Sequence, residues 1–387
     1  MNYSVEYSTE NEMTELDEAR NIVANAIEIK HITGAQWDKE IISFDGVCQE
    51  QLYVFSKNRW GSVICEPVLF LKNKKIVGGA LVLVQLLPFQ LGSIAVIKWG
   101  PLLKDHSNEN SKEIYASCIE TLLLEYDINR KMMVSILPRA SSEKENFEFD
   151  YLLKRGFGKG GELRFPSRYF VNLRLSDEEI KSSFAQKWRY HLNKSLKADL
   201  TFERADATRM NEFENLYEQM NERKKFADHS AYDDTIKAMM DIKDDVLRPE
   251  LFLVKEHGKT VAGAIIFKTG KTATYMYGAT SKEALKSRAG YFIHWHVVRW
   301  LRDNTKADYY DLGGTDGFLG LHQFKKGMVG TKGVIAPVPA VMNYSSNVFP
   351  FLVGHFAFFA RDSILRFKSF LSKFKSDLAQ PNQKRVK

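Results

Sequence analysis

An internal repeat is the feature that most constrains how this chain can fold. Residues 69–83 (LFLKNKKIVGGALVL) and 251–267 (LFLVKEHGKTVAGAIIF) each run from an apolar segment through a polar turn into a second apolar segment containing Gly-Ala. Each copy predicts a β-hairpin. The Gly-Ala pairs begin at Gly79 and Gly263, so nearly half of the chain separates the two copies. The repeat therefore predicts two similar domains in tandem, which agrees with the usual size of a domain.

The segments after each hairpin support this interpretation. Each hairpin is followed by a predicted strand, helix and strand, at residues 91–100, 113–126 and 132–137 in the first half and at 272–278, 291–302 and 308–312 in the second. Antiparallel strands, then a helix, then a further strand is the order of an acyltransferase domain of the GNAT kind. We therefore expect a mixed α/β fold (α+β in type) with two tandem GNAT-like domains. Each should contain a mostly antiparallel sheet flanked by helices.

The boundary between the two domains is expected near Pro166. The preceding segment 156–161 is rich in glycine, and Ser176 followed by Glu179 forms a capping box that predicts the start of a helix. The expected units are a first GNAT-like domain, a second GNAT-like domain and a basic amphipathic helical tail, at residues 1–165, 166–340 and 341–387.

The composition excludes several classes of protein. Apolar residues make up 44% of the chain and charged residues 27%, so the bulk of the chain is not intrinsically disordered. The three cysteines, Cys48, Cys65 and Cys118, are too few and odd in number for a disulfide scaffold. Their spacing has no metal-ligand pattern, and we expect no metal site and buried thiols in a reducing compartment.

The sequence predicts a cytoplasmic protein. Residues 1–20 are acidic and polar, which is not the pattern of a signal or transit peptide. A membrane-spanning helix needs about 20 apolar residues, whereas the longest candidate, residues 348–359, is interrupted by proline, glycine and histidine. We therefore expect no spanning segment, and association with the inner face of the membrane stays open.

The net charge of +7 is concentrated at the C-terminus. Residues 361–387 contain eight basic and two acidic side chains and so carry +6 of this charge, which leaves a nearly neutral body. Within this tail, apolar residues recur at spacings of 3, 4, 3 and 4, at Ile364, Phe367, Leu371, Phe374 and Leu378. The pattern predicts an amphipathic helix, either docked on the body or lying on an anionic membrane surface.

Three segments together resemble the Fem-type transferases, which build peptidoglycan cross-bridges and fall within the GNAT superfamily. They are Lys187-Trp188-Arg189 with Asn193-Lys194, the segment 221–226 (NERKKF), and residues 308–330 (DYYDLGGTDGFLGLHQFKKGMVG). The resemblance covers most of residues 40–340. It implies transfer of an acyl group onto an amine or sugar, and the best-known members use aminoacyl-tRNA as donor and a cell-wall precursor as acceptor. Other relatives resemble acetyltransferases or are linked to surface polysaccharides.

Acyl transfer places negative charge on a carbonyl oxygen, which a cation or an N–H donor must stabilise. The resemblance implies that Lys325, after Phe324, stabilises this charge or binds phosphate, and Lys326 is a further candidate for substrate binding. Gly313 and Gly314 form a turn where backbone can approach a ligand closely. The alternative is that both lysines are ordinary surface residues.

Candidate bases for the acceptor amine are Asp311 and Asp316, with His322 as a third. Asp311 could equally cap a turn. His294 and His296 point to different faces of a helix, so they are better interpreted as core or surface histidines than as metal ligands. The chain has no serine elbow or cysteine–histidine signature. Direct attack by the acceptor, without a covalent enzyme intermediate, is therefore expected.

The identity of the donor stays open between aminoacyl-tRNA and acyl-CoA, and no tightly bound cofactor is expected. CoA-dependent GNAT domains hold pyrophosphate on a glycine-rich loop at a helix N-terminus. The corresponding segment, residues 286–290 (KSRAG), has one glycine and the wrong spacing. This favours aminoacyl-tRNA, for which the basic segment 187–197 would provide phosphate contacts, or else form a solvated helix face. The neutral body favours acyl-CoA and acetylation of a surface polysaccharide.

The acceptor is expected to be a lipid-linked or nucleotide-linked precursor of the cell envelope. The resemblance implies that cations in the first domain and on a second-domain helix hold its diphosphate, and the matching positions are Lys57 and Arg223. Either could be solvated surface. A relative without activity that only binds glycans is the alternative from a different functional class.

Overall fold

The computed structural model describes residues 27–143, 145–161, 167–224, 233–315 and 317–378. Side chains are not described for residue 224, for residues 233, 234 and 362, or for residues 365–378. The candidate base Asp316 and the expected domain boundary at Pro166 lie outside the described residues.

The first sheet has eight strands, β1 to β7 and β15, and belongs mainly to the first half of the chain. Its order is β1-β2-β3-β4-β6-β15-β7, with β5 paired to β3, and every pair is antiparallel except β4 with β6. The strands are Glu28–His31, Ile64–Lys72, Lys75–Leu86, Ser93–Lys98, Leu102–Leu103, Met133–Leu137, Gly158–Lys159 and Met342–Tyr344.

The helices of the first half pack on both faces of this sheet. They are α1 to α4, at Gly34–Ile41, Tyr53–Arg59, Ser111–Leu122 and Phe147–Lys154. Thr33 and Gln36 form a capping box that starts α1, and a π-helical segment, Leu123–Asn129, continues α3. Tyr115, Ile119 and Leu122 of α3 are buried against one face, while Trp37 of α1 is buried against the other.

The second sheet has seven strands in the order β14-β8-β13-β12-β11-β10-β9. Again all pairs are antiparallel except one, β12 with β13. Strands β8 to β14 are Ser167–Asn172, Leu200–Ala205, Glu250–Glu256, Lys259–Phe267, Thr272–Thr280, Tyr309–Asp311 and Val334–Pro337.

The helices of the second half also cover both faces of their sheet. Helices α5 to α11 are Asp177–Ser183, Gln186–Ser195, Met210–Lys224, Asp233–Met240, Ala284–Ser287, Ala289–Asn304 and Leu319–Val329. The predicted capping box of Ser176 and Glu179 starts α5. Short 3₁₀ turns occur at Gln49–Gln51, Pro88–Gln90 and Ala207–Arg209.

The internal repeat is visible in the register of the two hairpins. Leu69 lies opposite Gly79 in β2 and β3, and Leu253 lies opposite Gly263 in β10 and β11, so equivalent residues of the repeat form equivalent pairs. A register shift follows Phe70 in the first hairpin and Val254 in the second, again at equivalent positions. The predicted order of elements and the predicted pair of similar sheets are therefore confirmed.

The repeated glycines have the same function in both halves. A Cβ on Gly79 would lie 2.6 Å from the Trp37 ring, and a Cβ on Gly263 would lie 2.6 Å from the Phe213 ring. Both rings belong to helices that precede their hairpin, and both are fully buried. In each half the missing side chain therefore admits an aromatic ring onto the sheet.

The C-terminal part of the chain returns to the first sheet. Strand β15, Met342–Tyr344, lies between β6 and β7, and Met342 is fully buried in the core of the first half. A third apolar cluster joins the halves, because Phe267, Met239 and Leu247 pack with Trp37 and other first-half residues. The expected domain limits stay a prediction.

The chain's last described element is the 31-residue helix α12, Val348–Leu378. It packs on β4 and β6. Among the described helices, none is both long and apolar enough to cross a membrane.

Candidate functional site

The two parallel strands of the second sheet separate soon after they meet. β12 pairs with β13 at three positions only, from Thr272 with Tyr309 to Thr274 with Asp311. Beyond Thr274 and Asp311 the strands diverge, and a cavity of about 240 Å³ occupies the space between them. We call this cavity the strand gap. It is lined by Met220, Gly263, Tyr275, Gly278, Ala279, Thr280, Ala284, Leu285, Arg288, Gly290, Tyr291, Ile293, His294, Leu312, Leu321, Phe324 and Lys325.

Lys325 lies on α11 and lines the strand gap, although a lysine is usually exposed to solvent. The residue is only 6% exposed, and its Nζ donates hydrogen bonds to the carbonyl oxygens of Leu312, at 2.5 Å, and of Gly314. Gly313 between them has φ of +72°, a left-handed conformation that favours glycine. The glycine turn after β13 therefore turns two carbonyl groups toward the ammonium group.

An aromatic wall surrounds this lysine. The Phe324 ring is 5.0 Å from the ring of Tyr291, 5.5 Å from that of His294 and 5.9 Å from that of Trp188, between centroids. Trp188 also packs on Gly327, where a Cβ would lie 3.2 Å from its ring. Two of the segments that carry the Fem-type resemblance thus meet at one place.

Arg189, next to Trp188 in the sequence, has a structural contact. It donates to the Ser182 carbonyl at 2.8 Å and to the Phe184 carbonyl, which fixes the turn between α5 and α6. Arg189 therefore stabilises the backbone next to the site.

Two further polar groups in the strand gap are uncharged. Burial lowers the pKa of His294 to about 3, with Lys325 contributing to the same shift, and its Nδ1 lies 3.2 Å from the Tyr310 hydroxyl. Burial also raises the pKa of Tyr275. A Cβ on Gly278 would lie 1.6 Å from the Tyr275 hydroxyl, so glycine is needed for this ring position. Sequence analysis singled out neither residue for the site.

Basic residues on α6 and directly before α10, namely Lys187, Lys194 and Arg288, form a group that we call the rim. Arg288, which lines the strand gap, has φ of +62° directly before this helix, and its Nε is buried without a hydrogen-bond partner. His191 lies 4.9 Å from the Tyr291 ring. Burial lowers the pKa of His191, and the positive charges of Arg288, Lys187 and Lys194 lower it further.

The remaining predicted cations do not line the strand gap. Arg223 is exposed at the end of α7, and its Nη2 donates to the Thr280 carbonyl at 2.8 Å, next to the opening. Lys326 is exposed beside the buried Lys325, and Lys57 is exposed on α2 in the first half. Their predicted contacts with substrate stay predictions.

A second cavity, of about 420 Å³, lies between the two halves of the chain. Residues of the first half, among them Glu50, Trp99 and Arg139, line it together with Arg168 and Asp311 of the second half. We call it the interdomain cavity. Burial raises the pKa of Glu50, and the nearby Arg168 opposes this shift.

Asp311 faces the interdomain cavity and is held in an ion pair. Its Oδ2 accepts hydrogen bonds from Arg168 Nη2 at 2.5 Å and Nε at 2.8 Å, and its Oδ1 accepts one from the Gly313 N–H at 2.8 Å. The carboxylate thus caps the turn that contacts Lys325, which was the alternative interpretation of this residue. The next residue, Leu312, lines the strand gap, so the two cavities lie on opposite sides of the strand end.

His322, the third candidate base, lines neither cavity. Its Nδ1 lies 2.5 Å from the Tyr169 hydroxyl at the start of α11. In the described part of the chain, no group of three or more His, Cys, Asp or Glu side chains is placed to hold a metal ion.

Comparison with protein families finds one match, in the second half of the chain. Residues 182–326, which include α6, the second hairpin and Lys325, match the family described as "Acetyltransferase (GNAT) domain". The matched segment is similar to a GNAT acyltransferase domain. It contains every residue that lines the strand gap. No curated protein sequence matches the chain.

Solved structures extend the likeness to the whole fold. The crystal structure of FemX matches with a TM-score of 0.69 at 18% identity, covering 85% of this chain and 100% of FemX. A conserved protein of unknown function from Bacteroides thetaiotaomicron matches at 0.57 and 14%, with 82% and 99% covered. The C-terminal domain of a putative lysylphosphatidylglycerol synthetase from Agrobacterium fabrum matches at 0.52 and 12%, with 83% and 94% covered. The predicted fold of two GNAT-like domains is therefore confirmed, and the family match of residues 182–326 confirms the predicted acyltransferase class.

Proposed function

We propose that this protein transfers an acyl or aminoacyl group from an activated donor to an amine on a cell-envelope precursor. The observation that carries the proposal is the buried Lys325 in the strand gap of the GNAT domain. A buried ammonium group beside a cavity is suited to stabilise the negative charge that develops on an acyl carbonyl oxygen.

In this mechanism the carbonyl of the donor enters the strand gap beside Lys325. The carbonyl groups of Leu312 and Gly314 hold the ammonium in place before the donor arrives, so little reorganisation is needed during the reaction. His294 is neutral at physiological pH because burial lowers its pKa to about 3. Its imidazole therefore adds no second positive charge that would repel the ammonium group of Lys325.

Direct attack by the acceptor amine fits the composition of the strand gap. Its described lining contains neither a cysteine nor a serine, which are frequent nucleophiles for covalent acyl transfer. The amine would add to the carbonyl carbon and form the C–N bond. The donor oxygen or sulfur would leave, and the amine proton would pass to a base.

We assign the acceptor to the interdomain cavity. Asp311 lines this cavity, and the following residue, Leu312, lines the strand gap. An amine that passes between the diverging strands would therefore come close to both Asp311 and Lys325. The Fem-type fold supports an envelope precursor as acceptor, lipid-linked or nucleotide-linked, and the likeness to a putative lysylphosphatidylglycerol synthetase supports aminoacyl transfer near lipid.

We favour aminoacyl-tRNA as donor. Ligand cavities commonly measure about 300–1,000 Å³, so the strand gap of about 240 Å³ is suited to an acyl group and its ester rather than to a whole coenzyme. The phosphates would then lie outside, on the rim formed by Arg288, Lys187 and Lys194. Acyl-CoA is the second candidate, favoured by the match to an acetyltransferase domain and by the N-terminus of α10 at the rim.

Donor binding tests this proposal. The purified chain would be titrated with mixed aminoacyl-tRNA by filter retention and with acetyl-CoA by calorimetry, at the same moderate salt. We expect saturable binding of tRNA, weakened by the double substitution Lys187→Gln/Lys194→Gln and much less by Lys197→Gln, an exposed lysine beyond the end of α6. Binding of acetyl-CoA without binding of tRNA would identify acyl-CoA, and not aminoacyl-tRNA, as the donor. Binding of neither would favour a glycan-binding relative without activity.

A further inference from the structure

We propose that α12 is a membrane-binding helix that lies on an anionic lipid surface. The inference rests on a different part of the molecule from the proposed function, and it holds or fails independently of the acyl donor. The notable feature is an apolar row on the solvent side of the helix. Phe349, Leu352, Phe356 and Phe359 are each 61–70% exposed.

This row forms one continuous face. Its members are spaced by 3, 4 and 3 positions, which places them on the same side of a helix. The apolar pattern continues further along the sequence of the helix, because Phe367 and Phe374 follow Phe349 and Phe356 by five full turns of an α-helix, at about 3.6 residues per turn. Ile364 lies between the two parts and is 55% exposed.

The residues on the opposite face of the helix differ between its first part, which contacts the body, and its second part. Near the body, Gly354 is buried against Met133, and Phe351 and Phe358 are partly buried on the same side. The equivalent positions five turns further along, residues 369, 372 and 376, are all serine. In the sequence, the positions equivalent to the body-contacting ones thus become polar. Three of the four positions equivalent to the outward row stay aromatic, at Phe367, Phe370 and Phe374, and the fourth is Asp377. A helix designed to dock along the body would show the reverse.

The charges identify the partner as anionic. Residues 361–387 contain eight basic and two acidic side chains. By helical periodicity, the positions of Arg366, Lys368, Lys373 and Lys375 fall on either side of the apolar row. A second copy of this helix would bring two strongly positive segments together, which disfavours self-association. The helix is 31 residues long, about 46 Å at 1.5 Å per residue. An apolar row between basic positions on such a helix is typical of helices that lie in the headgroup region of anionic bilayers.

The test is co-sedimentation of the full chain with vesicles. One set contains equal parts phosphatidylglycerol and phosphatidylcholine, and the other contains phosphatidylcholine alone. We expect binding to the anionic vesicles only, weakened as salt shortens the range of the lipid charge. The substitution Phe356→Ser/Phe359→Ser should lower the affinity at least about tenfold, since two aromatic side chains lose their burial in lipid.

The matched control is Leu124→Ser/Ile128→Ser, which changes two exposed apolar residues on another helix. This variant should bind vesicles like the unmodified chain. Equal binding by the phenylalanine variant, or no binding to anionic vesicles at low salt, would overturn the proposal. A lipid-free dimer in sedimentation equilibrium that the same phenylalanine substitutions abolish would instead assign the face to a second copy of the chain.

Discussion

Replacement of Asp311 by alanine should destabilise the fold mainly through its partner. Arg168 donates two hydrogen bonds to the Asp311 carboxylate, and the side chains are only 14% and 7% exposed. Removing one member of a buried pair leaves an uncompensated charge, at a cost of about 3–5 kcal/mol. The Gly313 N–H also loses its acceptor. We expect the free energy of unfolding to fall by an amount in this range.

A neighbouring carboxyl group should limit this loss. Arg168 lowers the pKa of Glu50 and Asp311 raises it, while burial holds it above its ordinary value. Without Asp311, the pKa of Glu50 should fall, and Glu50 can then ionise beside Arg168. Asp311→Ala should therefore cost less in the unmodified protein than in a Glu50→Gln background.

The assay is urea-induced unfolding at neutral pH, arranged as a double-mutant cycle with Arg168→Met. The account predicts a coupling free energy of about 2–3 kcal/mol between Asp311 and Arg168. The catalytic alternative has its own signature, because loss of a general base would remove the acidic limb of the pH–rate profile. A cost below about 1 kcal/mol for Asp311→Ala, with no coupling, would refute the buried ion pair on which this reasoning depends.

Two other predictions concern the first half of the chain. Burial raises the pKa of the Asp38 carboxyl to about 6. The folded protein therefore holds this proton more tightly than the unfolded chain, and the free energy of unfolding should fall as the pH rises from the ordinary carboxyl pKa through about 6. Asp38→Asn should remove this pH dependence from urea unfolding measured across that range, and an unchanged pH dependence would contradict the shift. Gly79→Ala should cost about 1–3 kcal/mol, because the new Cβ meets the buried Trp37 ring. Gly61→Ala, with open space around it, is the control and should change the melting temperature little; equal effects of both would contradict the packing.

The repeat made much of the fold predictable, because each hairpin is a local structure whose apolar pattern and turn are present in the sequence. Strand β15 was not predictable in the same way. It has three residues, Met342–Tyr344, too few for a periodic signal. Its partners Met133–Leu137 and Gly158–Lys159 lie far away in the sequence, so only tertiary packing selects this pairing.

In the site, the Fem-type motifs contain residues that lie in one wall of the strand gap. Phe324 and Lys325, the glycine turn and Trp188 lie close together in the structure, a proximity that the sequence did not predict. The direction of individual side chains needed geometry. Asp311 and the next residue, Leu312, point to opposite sides because successive residues in an extended strand alternate, and of two consecutive helical lysines only Lys325 faces the strand gap.

The most direct test of the central claim is a comparison of acyl-transfer rates for Lys325→Met and Lys332→Met. The donor would be the one that binds, and the acceptor an extract of envelope precursors. Lys332 is exposed in the turn after α11, outside both cavities. The account predicts that Lys325→Met lowers kcat by about 10²–10³ with donor affinity nearly unchanged, the loss typical of removing one oxyanion-stabilising group, whereas Lys332→Met behaves like the unmodified protein. A folded Lys325→Met variant that transfers at the full rate would contradict the assignment of the strand gap as the site of acyl transfer.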